Sequence, residues 1–348
     1  MAHMVISRLT REALRAEPET QWLLGSVLEK SPEYMELGSV GPDLPYYGNL
    51  LRAALTILLD RPDKPMGVDQ WSYQLHSKDP DVFPLKMLEI IRKEARTAKR
   101  EWDKDDLRKL AFLCGFLTHM AGDQIIHPVV NRIAGPYYKK GKDREKHRTC
   151  EVHQDLYVVK SMWLKAPLTR AAFKKQHFDQ WCMIVPDQRF RYLLQKAFVE
   201  AHAVKPSGLA VWLWVCGLHF VLRHCNRSKG HFNSYANAWR NLFDRQGQIK
   251  NSKEYDEYIL LKGPNGETRT YDDYFPDAVA LASIYIRAAW RILNADNLDA
   301  FTRGRFAEVV RNADLGSPLE TSILAKARAA LGELPPFLGS TGIRSTSV

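Results

Sequence analysis

Between Ala111 and Pro128 an apolar stretch of the chain carries three ligand-type side chains, His119, Asp123 and His127, at intervals of four. On a helix, four residues advance about 6 Å and rotate by about 40°, so the three groups share one narrow stripe. Their neighbours Leu110, Phe112, Leu113, Phe116, Leu117, Ile125 and Ile126 are apolar. Burying ionisable groups among such residues is costly unless an ion compensates them. His147 and Glu151 repeat the four-residue spacing further on. A His/Asp/His helix facing a His/Glu helix holds enough ligands for more than one metal ion.

The rest of the chain reads mainly as helix. Apolar residues recur at three- and four-residue spacing over residues 7–16, 49–59, 84–98, 104–126, 149–163, 189–202, 209–224, 276–294 and 319–331. Asp105 and Asp106 are acidic start signals for the central helix. Pro128 disfavours helical geometry at His127, so that helix is expected to end or kink there. The longest apolar stretch, Gly208 to Leu222, is too short for a usual membrane span and reads as a buried helix. Residues 258–271 differ: two β-prone runs flank Asn265 and Gly266, a hairpin signal. The fold expected is all-α: one helical domain over residues 1–332, with a small β-hairpin insertion. A metal-binding half spans 1–165, further helices fill 166–332, and 333–348 form a flexible tail.

The net charge of +10 favours anionic partners: phosphate esters, anionic lipid surfaces or nucleic acid. Five widely spaced cysteines with no CxxC exclude a disulfide framework and a cysteine-based zinc site. The first apolar run, Met4 to Ile6, is too short for a signal peptide. The default expectation is a cytoplasmic protein with reduced, mostly buried thiols; a longer form of the chain would leave secretion open.

Imidazole and carboxylate ligands suit zinc, and also iron or manganese. Two upstream segments add to the set. Gly38 to Asp43 is a glycine- and proline-shaped loop that holds an aspartate, and His76 precedes a turn. In order, these are a GxxGPD loop (Gly38 to Asp43), a mid-chain His76, a GxxxHxxxDxxxHP helix (Gly115 to Pro128) and an HxxxE (His147 to Glu151). This order resembles the zinc-dependent phospholipase C family, which includes the metal domain of glycosylphosphatidylinositol-specific phospholipase D. The family is related in fold to single-strand-specific zinc nucleases. The resemblance runs from about His3 to Asp155.

The resemblance implies two or three zinc ions. Asp43, His76, His119 and Asp123 match the ligands of one, and His127, His147 and Glu151 those of a second. Asp123 would bridge to a third ion, for which His3 is the candidate. The bacterial phospholipases C bind that third metal through an N-terminal tryptophan, which this chain lacks. The implied reaction is attack of zinc-activated water on a phosphodiester, with Asp43 as proton acceptor. Asp155 is expected to orient His147 or His153. Tyr46, Tyr47, Trp71 and Tyr73 would either wall a cationic head group or join the core.

The substrate expected is a phospholipid or another phosphodiester, with peripheral contact to an anionic membrane. The basic run Lys139 to Arg148 reads as a flexible loop or as an attractor for phosphate at the site rim. Two alternatives remain: a zinc-dependent nuclease, and a metal-stabilised helical binding protein without turnover. His202, His219, His224 and His231 do not fit one helical ligand face, and Asp272 and Asp273 read as solvated charge. No HExxH occurs, no His-Asp pair, and no Glu-x-x-His of the di-iron kind.

Overall fold

The computed structural model describes residues 2–48, 70–77, 79–97, 102–135, 141–158, 186–224, 261–262, 268–310 and 323–335. Its helices in chain order are α1 (Ala2–Ala13), α2 (Pro32–Gly38), α3 (Gln70–Ser77), α4 (Val82–Thr97), α5 (Lys104–Ala134) and α6 (Gly141–Val158). These are followed by α7 (Gln188–His202), α8 (Gly208–His224), α9 (Phe275–Asn294), α10 (Ala300–Val309) and α11 (Ile323–Glu333). Short 3-10 and π turns occupy residues 14–28 between α1 and α2. The fold is all-α, with one strand pair among the described residues. The helix expected over 49–59 lies outside the described residues, as do His231, the end of the 149–163 helix and most of the tail.

Helix α5 is the axis of the fold. A capping box starts it: the Asp103 carboxylate accepts from the Asp105 and Asp106 N–H groups at 2.9 and 3.0 Å, and Asp106 accepts from the Asp103 N–H. From Lys109 to Ile126 every residue is buried, so α5 is a core helix with no solvent face. α1, α2, α4, α6 and α9 all pack on it. The helix does not end at His127, one of the two outcomes expected from Pro128, but continues to Ala134. Proline removes one N–H donor, but Val129, Val130 and Ala134 are buried, and that packing holds the last turns in place. Gly135, at φ 82°, then ends the helix.

α2 meets α5 backbone to backbone. A Cβ on Gly115 would stand 1.9 Å from the Met35 carbonyl oxygen, and one on Gly38 would stand 2.1 Å from the Phe112 carbonyl oxygen. Only two glycines allow this approach, and it sets the residues after Gly38 against the ligand stripe.

Other expectations are corrected. α1 begins at Ala2 rather than near residue 7. α6 begins at Gly141, so most of the basic run is helix, not loop; Lys, Arg and Glu lose little freedom in a helix. α8 is buried on one side only and exposes Leu209 and Trp212. Glu333 closes α11 and Leu334 is buried. The strands are short: Leu261–Lys262 pairs antiparallel with Thr268–Arg269, Leu261 opposite Arg269. Asp272 and Asp273 are not simply solvated. Asp273 accepts from the Thr270 N–H at 2.7 Å in a capping box, and Asp272 accepts from the Tyr157 hydroxyl at 3.0 Å. No helix of the described residues is long and apolar enough to cross a membrane. Cys114 and Cys150 are buried free thiols, whereas Cys182 and Cys225 lie outside the described residues.

Glu19 ties the segment after α1 to α9 by accepting from both Arg287 and Arg291. Burial alone would raise its carboxyl, but the hydrogen bonds from Arg287 and Arg291 outweigh it and hold the group below its ordinary value. A depressed carboxyl contributes stability above the unfolded-state value and loses it as pH falls through the folded-state value. Glu19→Gln should therefore melt a few degrees lower than wild type at neutral pH. That difference should close as the pH drops below the usual carboxylate range, which a pH series of thermal melts will show.

Candidate metal centre

The ligand stripe of α5 faces three neighbouring elements. α2 brings the backbone of Ser39, whose carbonyl accepts from His119 Nδ1 at 2.9 Å. α3 brings His76, and its Nδ1 lies 2.7 Å from the Ser72 carbonyl one turn back. α6 brings His147, whose Nδ1 lies 3.1 Å from the Gly135 carbonyl. α1 lays His3 across Gly122, where a Cβ would stand 2.9 Å from His3 Nδ1. The His3 and His119 rings stack with centroids 4.0 Å apart, and His127 stacks on His147 at 5.5 Å.

Asp123 sits at the centre and is buried. Its Oδ2 is 3.2 Å from His119 Nε2 and 3.7 Å from His76 Nε2. Its Oδ1 is 3.2 Å from His127 Nε2 and 3.4 Å from His3 Nε2. Asp43 Oδ1 lies 3.5 Å from His76 Nε2. Glu151 Oε1 lies 3.4 Å from His147 Nε2 and 4.0 Å from His127 Nε2. Three donor groups each converge within 4.8 Å: His3, Asp43 and His119; His76, His119 and Asp123; His127, His147 and Glu151. The structure thus brings together all eight residues singled out in the sequence. It places Asp43 with His3 and His119 as well as beside His76, so His119 stands between two groups.

The donor chemistry fits a cation. A backbone carbonyl takes the Nδ1 proton of His76, His119 and His147, which leaves Nε2 of the neutral ring as a lone pair aimed inward. His76 Nε2 and His119 Nε2 then face each other at 3.3 Å, beside the Asp123 carboxylate. Two acceptors and an anion converging in a buried site call for positive charge between them. In the bare protein protons supply it. Burial lowers His127, but the Asp123 charge and hydrogen bond outweigh it and lift the ring to about 9. Burial likewise opposes His119, and Asp123 again carries it above its ordinary value. Burial raises Asp123, yet His119 and His127 hold it well below the carboxylate range. His3 goes the other way, lowered by burial and by His119. A dication held by these atoms would replace the protons.

The centre is open on one side. The side chains of Asp43 and Glu151 are 38% and 40% exposed, against 1% for Asp123. The two outer carboxylates therefore stand on the solvent side of the centre.

Asp155 accepts the Ala2 backbone N–H at 2.9 Å and so pins the start of α1, and the Gly135 carbonyl orients His147. Trp71 joins the core, one of the two places expected for it, and packs on Phe198 and Trp214 with centroids at 5.3 and 6.2 Å. Tyr47 is partly buried against the core, and Tyr73 stays exposed. His202 is stacked on Phe83, in the core. Sequence reasoning missed Tyr271, which precedes α9. Burial pushes its phenol well above the ordinary value, and the charges of Asp155, Glu151 and Asp123 push it further. No spacing pattern links a tyrosine so distant in sequence to the ligand helix.

The sequence profile described as Zinc dependent phospholipase C matches residues 2–195. No curated protein and no solved structure matches the chain.

Proposed function

The chain belongs to the zinc-dependent phospholipase C family, and from that premise we propose that it is a zinc-dependent phosphodiester hydrolase acting on phospholipids. The observation that carries the reading is the buried convergence of His76 Nε2, His119 Nε2 and Asp123, with both Nδ1 atoms tied to backbone carbonyls. Asp43, His76, His119 and Asp123 would hold one zinc, and His127, His147 and Glu151 a second. His3, with Asp123, would serve a third. Zinc held there supplies Lewis-acid polarisation of a phosphoryl oxygen and acidifies a water.

The protein's own groups do the rest. Asp43, Asp123 and Glu151 offset the dications while leaving a net attraction for a phosphodiester. The partly exposed Asp43 carboxylate would accept a proton from water at Oδ. The carbonyls of Ser39, Ser72 and Gly135 fix the imidazole planes, so that no ring reorganises as charge develops. The overall positive charge of the chain favours an anionic substrate.

The test is head-group release from mixed phospholipid vesicles, run beside a digest of single-stranded DNA, each with His119→Ala as control. Phospholipid cleavage that the control lacks is the expected result. Faster DNA cleavage, lost in the control, would replace this reading by the nuclease one. Bound zinc with no turnover on either substrate would favour a binding protein.

A further inference from the structure

α7 and α8 pack against each other. Gln195 donates to the Pro206 carbonyl at 2.8 Å, so the connection doubles back along α7. A Cβ on Gly208 would stand 3.8 Å from Arg191 and 3.9 Å from Gln195, and Trp214 packs on Phe198 at 5.8 Å. α8 carries Leu209 and Trp212, and α7 carries Tyr192 and Val199. All four are exposed, Leu209 by 64% and Tyr192 by 50%. Four of the six large apolar side chains that the described residues expose thus belong to this one helix pair.

Cations border them. A groove of about 830 Å³ opens beside α7, lined among others by Lys93, Arg191 and Lys196. Two further cations of the groove are engaged: Lys109 holds Glu94 at 2.7 Å, and Arg189 holds Asp103 at 2.8 Å. Arg191 donates to the Asp187 carbonyl at 3.3 Å, Lys93 and Lys196 also line a neighbouring cleft with Glu89, Glu200 and Asp296, and Lys205 is exposed. Lys196 lies over the Tyr192 ring, 5.5 Å from its centroid. Glu200 is the acidic residue exposed on the same helix.

We propose that the α7–α8 face is a docking surface for an anionic phospholipid bilayer. The proposal rests on the phospholipid reading of the metal centre for its purpose, though not for its test. Exposed aromatic and aliphatic side chains on one helix pair, bordered by lysine and arginine, are the chemistry of an interfacial anchor. The apolar side chains enter the boundary of the acyl region, and the groove cations meet lipid phosphates. The geometry also connects the face to the site: α3, which supplies His76, seats Trp71 on Phe198 and Trp214. A membrane held on α7 and α8 lies one helix away from the metal ligands. This surface differs from the basic run before His147, where the sequence pointed.

Each basic residue near an anionic leaflet contributes about a fivefold factor in partition. Arg191→Glu with Lys196→Glu should therefore weaken binding to phosphatidylglycerol-containing vesicles by roughly 25-fold or more, measured by vesicle flotation. Leu209→Ala with Trp212→Ala should weaken it by at least about tenfold. Added salt should weaken the wild type but not the charge-reversed protein. Far-UV circular dichroism melts of both variants should match wild type, since the altered side chains are at the surface. Hydrolysis of a monomeric short-chain phospholipid should be unchanged.

Wild-type protein that stays off anionic vesicles would overturn the proposal, even if it cleaves the monomeric lipid. So would variants that bind as well as wild type. Dimeric wild type with monomeric variants and undiminished vesicle binding would reassign the face to contact between copies. Vesicle binding lost in the variants, with no phospholipid cleaved by any of them, would support the docking surface and remove only the phospholipase reading.

Discussion

Asp123→Asn is expected to abolish turnover and to cost more than His127→Ala. Asp123 touches four imidazoles, with Oδ2 toward His119 and His76 and Oδ1 toward His127 and His3. Asparagine keeps the shape, removes the charge and puts an NH₂ donor among atoms arranged to be bridged by cations. Losing several kcal/mol of charge stabilisation corresponds to roughly three powers of ten in rate. His127→Ala removes one donor at one end of the array and leaves the His76, His119 and Asp123 group in place.

The same variant should lose stability. A ligand present at about a thousand times its Kd adds roughly 4 kcal/mol to the folded state. Wild-type Tm should therefore fall on adding chelator, and Asp123→Asn should start low and respond little. An unchanged wild-type Tm in chelator would contradict a structural contribution of the metals.

Gly115→Ala is expected to be the most damaging single-methyl change in the core. Its Cβ would lie 1.9 Å from the Met35 carbonyl oxygen, a collision of backbone with backbone that no rotamer relieves. α2 and α5 would have to separate, and overpacking of this kind costs about 1–3 kcal/mol or more. The damage should also reach the metal centre, because the Ser39 carbonyl that orients His119 follows directly on α2. Gly304→Ala is the control. It lies in α10 with nothing within 4 Å of an added Cβ, and should be neutral or slightly stabilising. Paired thermal melts, with zinc retention after dialysis, separate the two effects. Equal Tm values for Gly115→Ala and Gly304→Ala would contradict the contact described.

The ligand helix was legible because its period is fixed. Once His119, Asp123 and His127 are placed on a helix, their common face follows from geometry alone. The order of Asp43, His76 and the later ligands was legible only through resemblance to a family, since spacing does not say that α2, α3 and α6 converge on α5. Local rules failed where tertiary packing overrode them. Pro128 reads as a stop or a kink, yet the burial of Val129 and Val130 carries the helix past it. The run before His147 is charged enough to look like loop, but its residues are good helix formers. Gly38 looked like a loop residue and Gly115 only a motif letter, whereas together they set a backbone contact. α8 is apolar enough to look wholly buried, and only the structure shows which of its faces stays uncovered.

The central claim is that this array holds zinc, and elemental analysis of the natively purified protein tests it most directly. We expect at least two zinc ions per chain, one for the donor group around His119 and one for that around His127. His119→Ala and His127→Ala should each lower the content by about one equivalent. Less than about one equivalent of any transition metal in the wild-type protein would contradict the account.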